Sequence, residues 1–328
     1  MKKTLCGALS AALLIGLMSV MVSCGPSNSP TSSSSGSSAT FTPTATFTPQ
    51  YSSGPTTLIS TVINQPYGIA YDSLSTGGNL WLVGESNPGT IYQYTTAGVN
   101  VINTSYYFST TGQYNFPNQV SVDPSGYLYV SDYGNNQIEV LNSAGVYIGV
   151  ALSGLTKPTD AVVNSAGTTL YVVEETNPNV TILTYAITGS SYPKTYTPTA
   201  NSFPTSGSFD PPRAICMALD PSGNVYVGDF NNSTIIKYGP TGASPSIFIP
   251  YVASTTSPWG FVFDSSGNIF VNQQTAPAYI REYSSTGSAG VSIGGFPATT
   301  NLTGLAIDGS GNLFASDSFH GYVYKVAK

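Results

Sequence analysis

The chain carries few residues that could do chemistry. It has one histidine, His320, and three cysteines, Cys6, Cys24 and Cys216. Zinc chemistry draws on three or four nitrogen and sulfur ligands, so a site built from several histidines is excluded. His320 alone could serve as a base, but it stands in a turn beside Gly321, where a solvated histidine is the commoner case. Cys216 lies in the apolar run Ile215 to Leu219 and is the only cysteine beyond residue 24. It has no disulfide partner there and reads as a small buried side chain rather than a nucleophile. Oxygen ligands are better supplied. Glu85, Asn118 and Asp160 are of the types that hold calcium, although no spacing singles them out. A phosphate-cradling glycine loop, a Gly-x-Ser-x-Gly elbow and a Cys-x-x-Cys pair are all missing from the sequence.

These residues are positioned by a phrase that recurs six times between residues 65 and 328. Its clearest copies are Asp220 to Phe230, DPSGNVYVGDF, and Asp123 to Tyr133, DPSGYLYVSDY. Asp264 and Asp308 open two more, and Asp72 and Asn164 open degraded ones. The mean spacing of about 47 residues lies in the range of propeller blades and solenoid coils. In the fourth copy, Ile215 to Leu219 is too short for a helix and suits a buried strand. Pro221 and Gly223 then make a tight turn. Val225 to Val227, Thr234 to Tyr238 and Ser244 to Val252 supply three further strands. Four antiparallel strands per repeat predict a blade, and six repeats predict an all-β, six-bladed β-propeller.

The pattern of Pro, a small residue, an apolar strand, Asp-x-x-Gly-Asn, an aromatic-rich strand, Asp, an Asn-rich turn and an Ile-rich strand resembles NHL repeats. It appears in Pro66 to Ala70, in Asp132 to Ile138 and in Asp229 to Ile235. The resemblance covers about 265 residues. It implies the propeller fold but no single activity, because such propellers include lyases, lactonases, scaffolds and receptors. Lys328 ends after the third strand of the last repeat. The segment Thr57 to Ile63 is therefore expected to supply the missing fourth strand and close the ring, which removes an open edge.

The three expected regions are residues 1–23, 24–55 and 56–328. Met1-Lys2-Lys3 followed by the apolar run Leu5 to Val22 reads as a secretory signal. Met21-Val22-Ser23-Cys24-Gly25 resembles a bacterial lipobox, with Met21 where Leu is usual. That resemblance implies cleavage before Cys24, lipidation of its thiol and a place in the cell envelope, on the periplasmic face of the outer membrane or at the cell surface. Residues 24–55 are rich in Ser, Thr and Pro and read as a disordered tether. Residues 56–328 form the propeller.

Charged residues make up 7% of the chain, with a formal net charge of −6. This excludes nucleic-acid binding, which needs a basic face. The chain is expected to act as a monomer.

In propellers, strand starts and second-strand exits share one rim. That rim gathers Tyr67, Asn118, Asp160, Arg213, Trp259, Thr303 and His320, with Glu85, Asp132, Asp229 and Asp317. Asp132, Asp229 and Asp317, which recur at one place in the repeat, are explained by holding turns. Residues that break the repeat say more about a ligand. Tyr67, Asn118, Asp160, Arg213, Trp259 and His320 are the candidate ligand-binding residues, suited to a peptide, protein or glycan. The expected function is a lipid-anchored binding or scaffolding module. The alternative is a calcium-dependent lactonase or a lyase, as resemblance to gluconolactonase-like and streptogramin-lyase-like propellers implies, with Glu85, Asn118 and Asp160 as metal ligands.

Overall fold

The computed structural model describes residues 51, 53–60, 63–101, 108–109, 112–175, 181–201, 203, 214–230, 232–250 and 258–328. The signal, Cys24, most of the tether and Arg213 lie outside the described residues.

Six antiparallel blades make the ring expected from the repeats. Their innermost strands are Pro66–Asp72, Pro117–Val122, Pro158–Val163, Ala214–Leu219, Pro258–Phe263 and Leu302–Ile307. The second strands are Asn79–Gly84, Leu128–Asp132, Thr169–Glu174, Val225–Asp229, Ile269–Gln273 and Leu313–Asp317. Five of the sheets have four strands. In blade one, among the described residues, a bridge between Tyr94 and Asn100 follows the third strand after a tight turn at Gly98.

The ring closes as predicted. Thr56–Ile59 pairs antiparallel with Tyr322–Val326, placing Thr57 opposite Tyr324 and Ile59 opposite Val323. Ile63 adds an N–H bond of 2.9 Å to the Gly321 carbonyl. Tyr51 is held too. Its hydroxyl donates to the Gly311 carbonyl at 2.8 Å, and its ring meets Phe270 edge to face at 5.5 Å.

The core consists of six apolar clusters, one between each pair of neighbouring blades. Each contains one aromatic side chain from the same place in a second strand: Trp81, Tyr129, Tyr171, Tyr226, Phe270 or Phe314. Burying a large side chain of this kind contributes roughly 1.5–3 kcal/mol, which is why the position stays aromatic while its neighbours vary.

The aspartates that open the copies hold their turns. Asp220 Oδ1 accepts the N–H groups of Ser222 and Asn224, each at 2.9 Å, and Asp264 and Asp308 repeat the arrangement. Gly223, Gly267 and Gly311 follow with φ of +80°, +81° and +85°, a conformation that glycine adopts without strain. Asp132, Asp229 and Asp317 do the same work at the opposite end. Asp317 Oδ1, for example, accepts the N–H groups of Asn301 at 3.0 Å and Phe319 at 3.1 Å.

Candidate functional site

Around the ring axis the inner strands enclose a well of about 760 Å³. Its mouth lies at the first-to-second-strand turns, where the exposed residues Leu74, Pro124, Ser165, Pro221 and Ser265 line it. Its walls are largely apolar and include Val122, Val162, Leu219, Val262, Phe263 and Ile307. The same side chains pack at their other edge against the clusters between blades.

Counting back four residues from each turn Asp or Asn gives one position per blade: Gly68, Gln119, Asp160, Cys216, Gly260 and Gly304. Three neighbouring blades thus carry functional side chains here, and the other three carry glycine. The glycines allow close approach. An added Cβ at Gly304 would lie 2.5 Å from the Tyr67 carbonyl oxygen, and one at Gly260 would lie 2.7 Å from that of Thr303. Gln119, Asp160 and Cys216 line the deep end of the well and are all buried.

Several polar groups at this level latch one blade to the next. Ser121 donates to the Ala161 carbonyl at 2.6 Å, and Asp160 Oδ2 accepts the Met217 N–H at 2.8 Å. The Cys216 thiol points to the Pro258 carbonyl at 3.4 Å, and Asn272 Nδ2 donates to the Thr303 carbonyl at 2.9 Å. Thr303 donates to the Pro66 carbonyl at 2.9 Å and links blade six to blade one. In blades five and six, whose inner strands have glycine, the second strand also bonds to the next blade: Asn272 as above, and Ser316, which donates to the Tyr67 carbonyl at 3.0 Å. Where blade four has Cys216, its second strand has Gly228, on which a Cβ would lie 2.7 Å from the sulfur.

Asp160 is the most perturbed acid of the well. Burial pushes its carboxyl up to about 7, held back by the backbone N–H groups of Met217 and Ala161. Burial, and then the nearby Asp160, push the Cys216 thiol well above its ordinary value, so it is not a thiolate nucleophile.

One residue beyond this level the ring is capped by aromatics. Tyr67 of blade one and Trp259 of blade five meet edge to face with centroids 5.3 Å apart, across the inner end of blade six. Phe230 packs on Trp259 at 4.9 Å. Asn272 Oδ1 accepts the N–H groups of Trp259 at 3.2 Å and Gly260 at 2.8 Å, which fixes the cap's backbone.

The residues expected to form a site are therefore divided. Asp160 lines the well. Tyr67 and Trp259 belong to the cap. Asn118 is buried one position beyond the deep end, and its Oδ1 makes no hydrogen bond among the described residues. Glu85 follows the second strand of blade one, its N–H bonded to the Gln65 carbonyl at 2.9 Å. His320 lies at the rim, with Nδ1 2.6 Å from Asp317 Oδ2 and Nε2 3.1 Å from the Thr299 hydroxyl. The sequence reading missed Gln119 and Cys216 as companions of Asp160, though counting back from the turn residues would have found them. It also missed Lys194, whose Nζ lies 2.6 Å from Asp123 Oδ2 at the mouth, with both side chains buried.

Calcium was the metal implied by family resemblance. Of Glu85, Asn118 and Asp160, only Asp160 lines the well. Among the described residues no three of His, Cys, Asp and Glu come together to hold a metal. This donor set does not fit an axial calcium ion.

The fold and well define a six-bladed β-propeller with an axial cavity. No known family pattern matches the chain, and no curated protein does. Solved structures do. A gluconolactonase from Xanthomonas campestris aligns with a TM-score of 0.61 at 14% identity, over 83% of this chain and 88% of its own. A streptogramin B lyase aligns at 0.59 and 13% identity, over 83% and 96%. Regucalcin from Agrobacterium tumefaciens, a calcium-binding protein, aligns at 0.56 and 13% identity, over 84% and 93%. At these identities the likeness establishes the fold, and activity is a separate question.

Proposed function

We propose that the protein is a binding module whose small-molecule ligand occupies the axial well and enters from the turn end. The carrying observation is the well itself. Its volume of about 760 Å³ falls within the 300–1,000 Å³ range of ligand pockets, and its apolar walls end in a buried carboxyl group. Thermal-shift screening of small amphipathic compounds tests it. Stabilising compounds should lose their effect on Ala218→Phe, which fills the well, while the variant itself stays folded. Compounds that stabilise both proteins equally would place binding elsewhere, with the aromatic cap and a peptide, protein or glycan ligand the next candidates.

The lipobox-like segment supports anchoring of this module in the cell envelope through Cys24. Cys24→Ala should then release the protein from the membrane fraction, and mass spectrometry of the mature chain should find acyl groups. The enzymatic alternative, a calcium-dependent lactonase or a lyase, draws support from the fold likeness. Lactone hydrolysis that appears with added calcium would favour it over the binding reading.

A further inference from the structure

We infer that the ligand of the axial well is an organic cation, an ammonium group on an apolar body, with its charge seated at Asp160. This rests on the reading that the well is a binding site. Among the described residues the well is lined by Asp123, Asp160, Asp220 and Asp264 and by no Lys, Arg or His. Three of these acids have structural duties at the mouth. Asp123 is paired with Lys194 at 2.6 Å, Asp220 has Lys237 at 4.0 Å, and Asp264 holds its own turn.

Asp160 differs from them in place and in partners. It lies at the deep end, and its two hydrogen bonds come from neutral backbone groups, Ala161 N–H at 2.8 Å and Met217 N–H at 2.8 Å. The residues at the same level on the flanking blades are Gln119 and Cys216, neither of which is a cation. Burial and those two N–H groups account for its protonation balance, with no contribution from a basic side chain. An ionised carboxylate accepts about four hydrogen bonds, so acceptor capacity remains toward the well. Burying a carboxylate without a countercharge is costly. An ammonium group entering the well removes that cost, a neutral group leaves it, and an anion adds repulsion. The apolar walls above take the body of the ligand.

The test uses the full chain and three probes of matched shape, 4-phenylbutylamine, 4-phenylbutanol and 4-phenylbutyrate, titrated calorimetrically at pH 6 and pH 8. At pH 8 the amine should bind at least tenfold more tightly than the alcohol, and the butyrate more weakly than either. At pH 6 Asp160 is largely protonated, while an amine of pKa about 10 keeps its charge, so the advantage of the amine should shrink several-fold. The alcohol should bind equally at both values. Ala218→Phe, or Val262→Phe on another wall, should abolish binding of all three, and Asp160→Asn should reduce the amine to the level of the alcohol. The pH comparison uses the unaltered protein, so it stands even where the Asn variant fails to fold. Equal binding of amine and alcohol at both pH values, with loss of both on filling the well, would overturn the cation inference and leave the binding site intact. Failure of all three probes to bind, or binding untouched by either wall variant, would overturn both.

Discussion

Tyr67 and Trp259 belong to blades one and five, yet their rings meet at 5.3 Å with an interplanar angle of 78°. Blade six, which lies between them in the ring, has Thr303 at that level, its hydroxyl donating to the Pro66 carbonyl at 2.9 Å. The contact joins blades that share no sheet.

This contact should be measurable as a coupling. Edge-to-face pairs contribute about 0.5–1.5 kcal/mol beyond burial. A double-mutant cycle of Tyr67→Leu and Trp259→Leu, read by urea unfolding, should return a coupling energy in that range. Additive effects of the two substitutions would mean that the rings are only neighbours.

The closing strand should matter more than the segment before it. Deleting residues 25–50 should leave the melting temperature nearly unchanged. Tyr51→Ala should cost about 1 kcal/mol, through the lost bond to Gly311 and the ring contact with Phe270. Deletion through residue 60 should destabilise the whole ring, because it exposes the edge of Tyr322–Val326. Thermal unfolding of the three proteins checks the order.

The Lys194–Asp123 pair bridges blades two and three with side-chain exposures of 4% and 0%. Lys194 also lies 4.7 Å above the Tyr127 ring. Removing one partner of a buried pair costs about 3–5 kcal/mol, because the other charge is stranded. Lys194→Met should therefore be strongly destabilising. Adding Asp123→Asn, which keeps the turn acceptor and removes the charge, should recover a large part of the loss in a chemical unfolding experiment.

Stability should fall as the pH rises from about 4 to 7. Burial raises Asp160 to about 7 and also raises Asp132, Glu174 and Glu282. A carboxyl raised on folding binds more protons in the folded state between its unfolded and folded values. Its stabilising contribution is complete below the unfolded value and is lost as the pH passes through the folded one. For Asp160 the slope reaches about 1.4 kcal/mol per pH unit. Unfolding free energies at pH 5 and pH 8 should differ in favour of pH 5, and Asp160→Asn should reduce the difference.

The architecture was legible because the repeat writes it six times. Asp220, Gly223 and Tyr226 each name a turn or a packing position, and every copy repeats the message. Closure by the strand before Pro66 followed from counting strands. The site was less legible. Asp160 stood out as a break in the repeat, but its companions Gln119 and Cys216 appear only when all six inner strands are aligned on their turn residues. Whether Tyr67 and Trp259 reach each other is set by side-chain rotamers and by the close approach that glycine permits between blades, and spacing along the chain does not encode it.

The pairing of Thr56–Ile59 with Tyr322–Val326 also orders events in time. Five blades can assemble from neighbouring segments as the chain emerges during synthesis, but the sixth waits for Tyr322–Val326. Until that strand is made the one at Thr56 has no partner, and its unpaired backbone is exposed while more than 260 residues are added. Its four residues, Thr-Thr-Leu-Ile, carry no charge to repel a stranger. A chain cut short near its end would keep that strand exposed permanently, ready to complete the last blade of another copy.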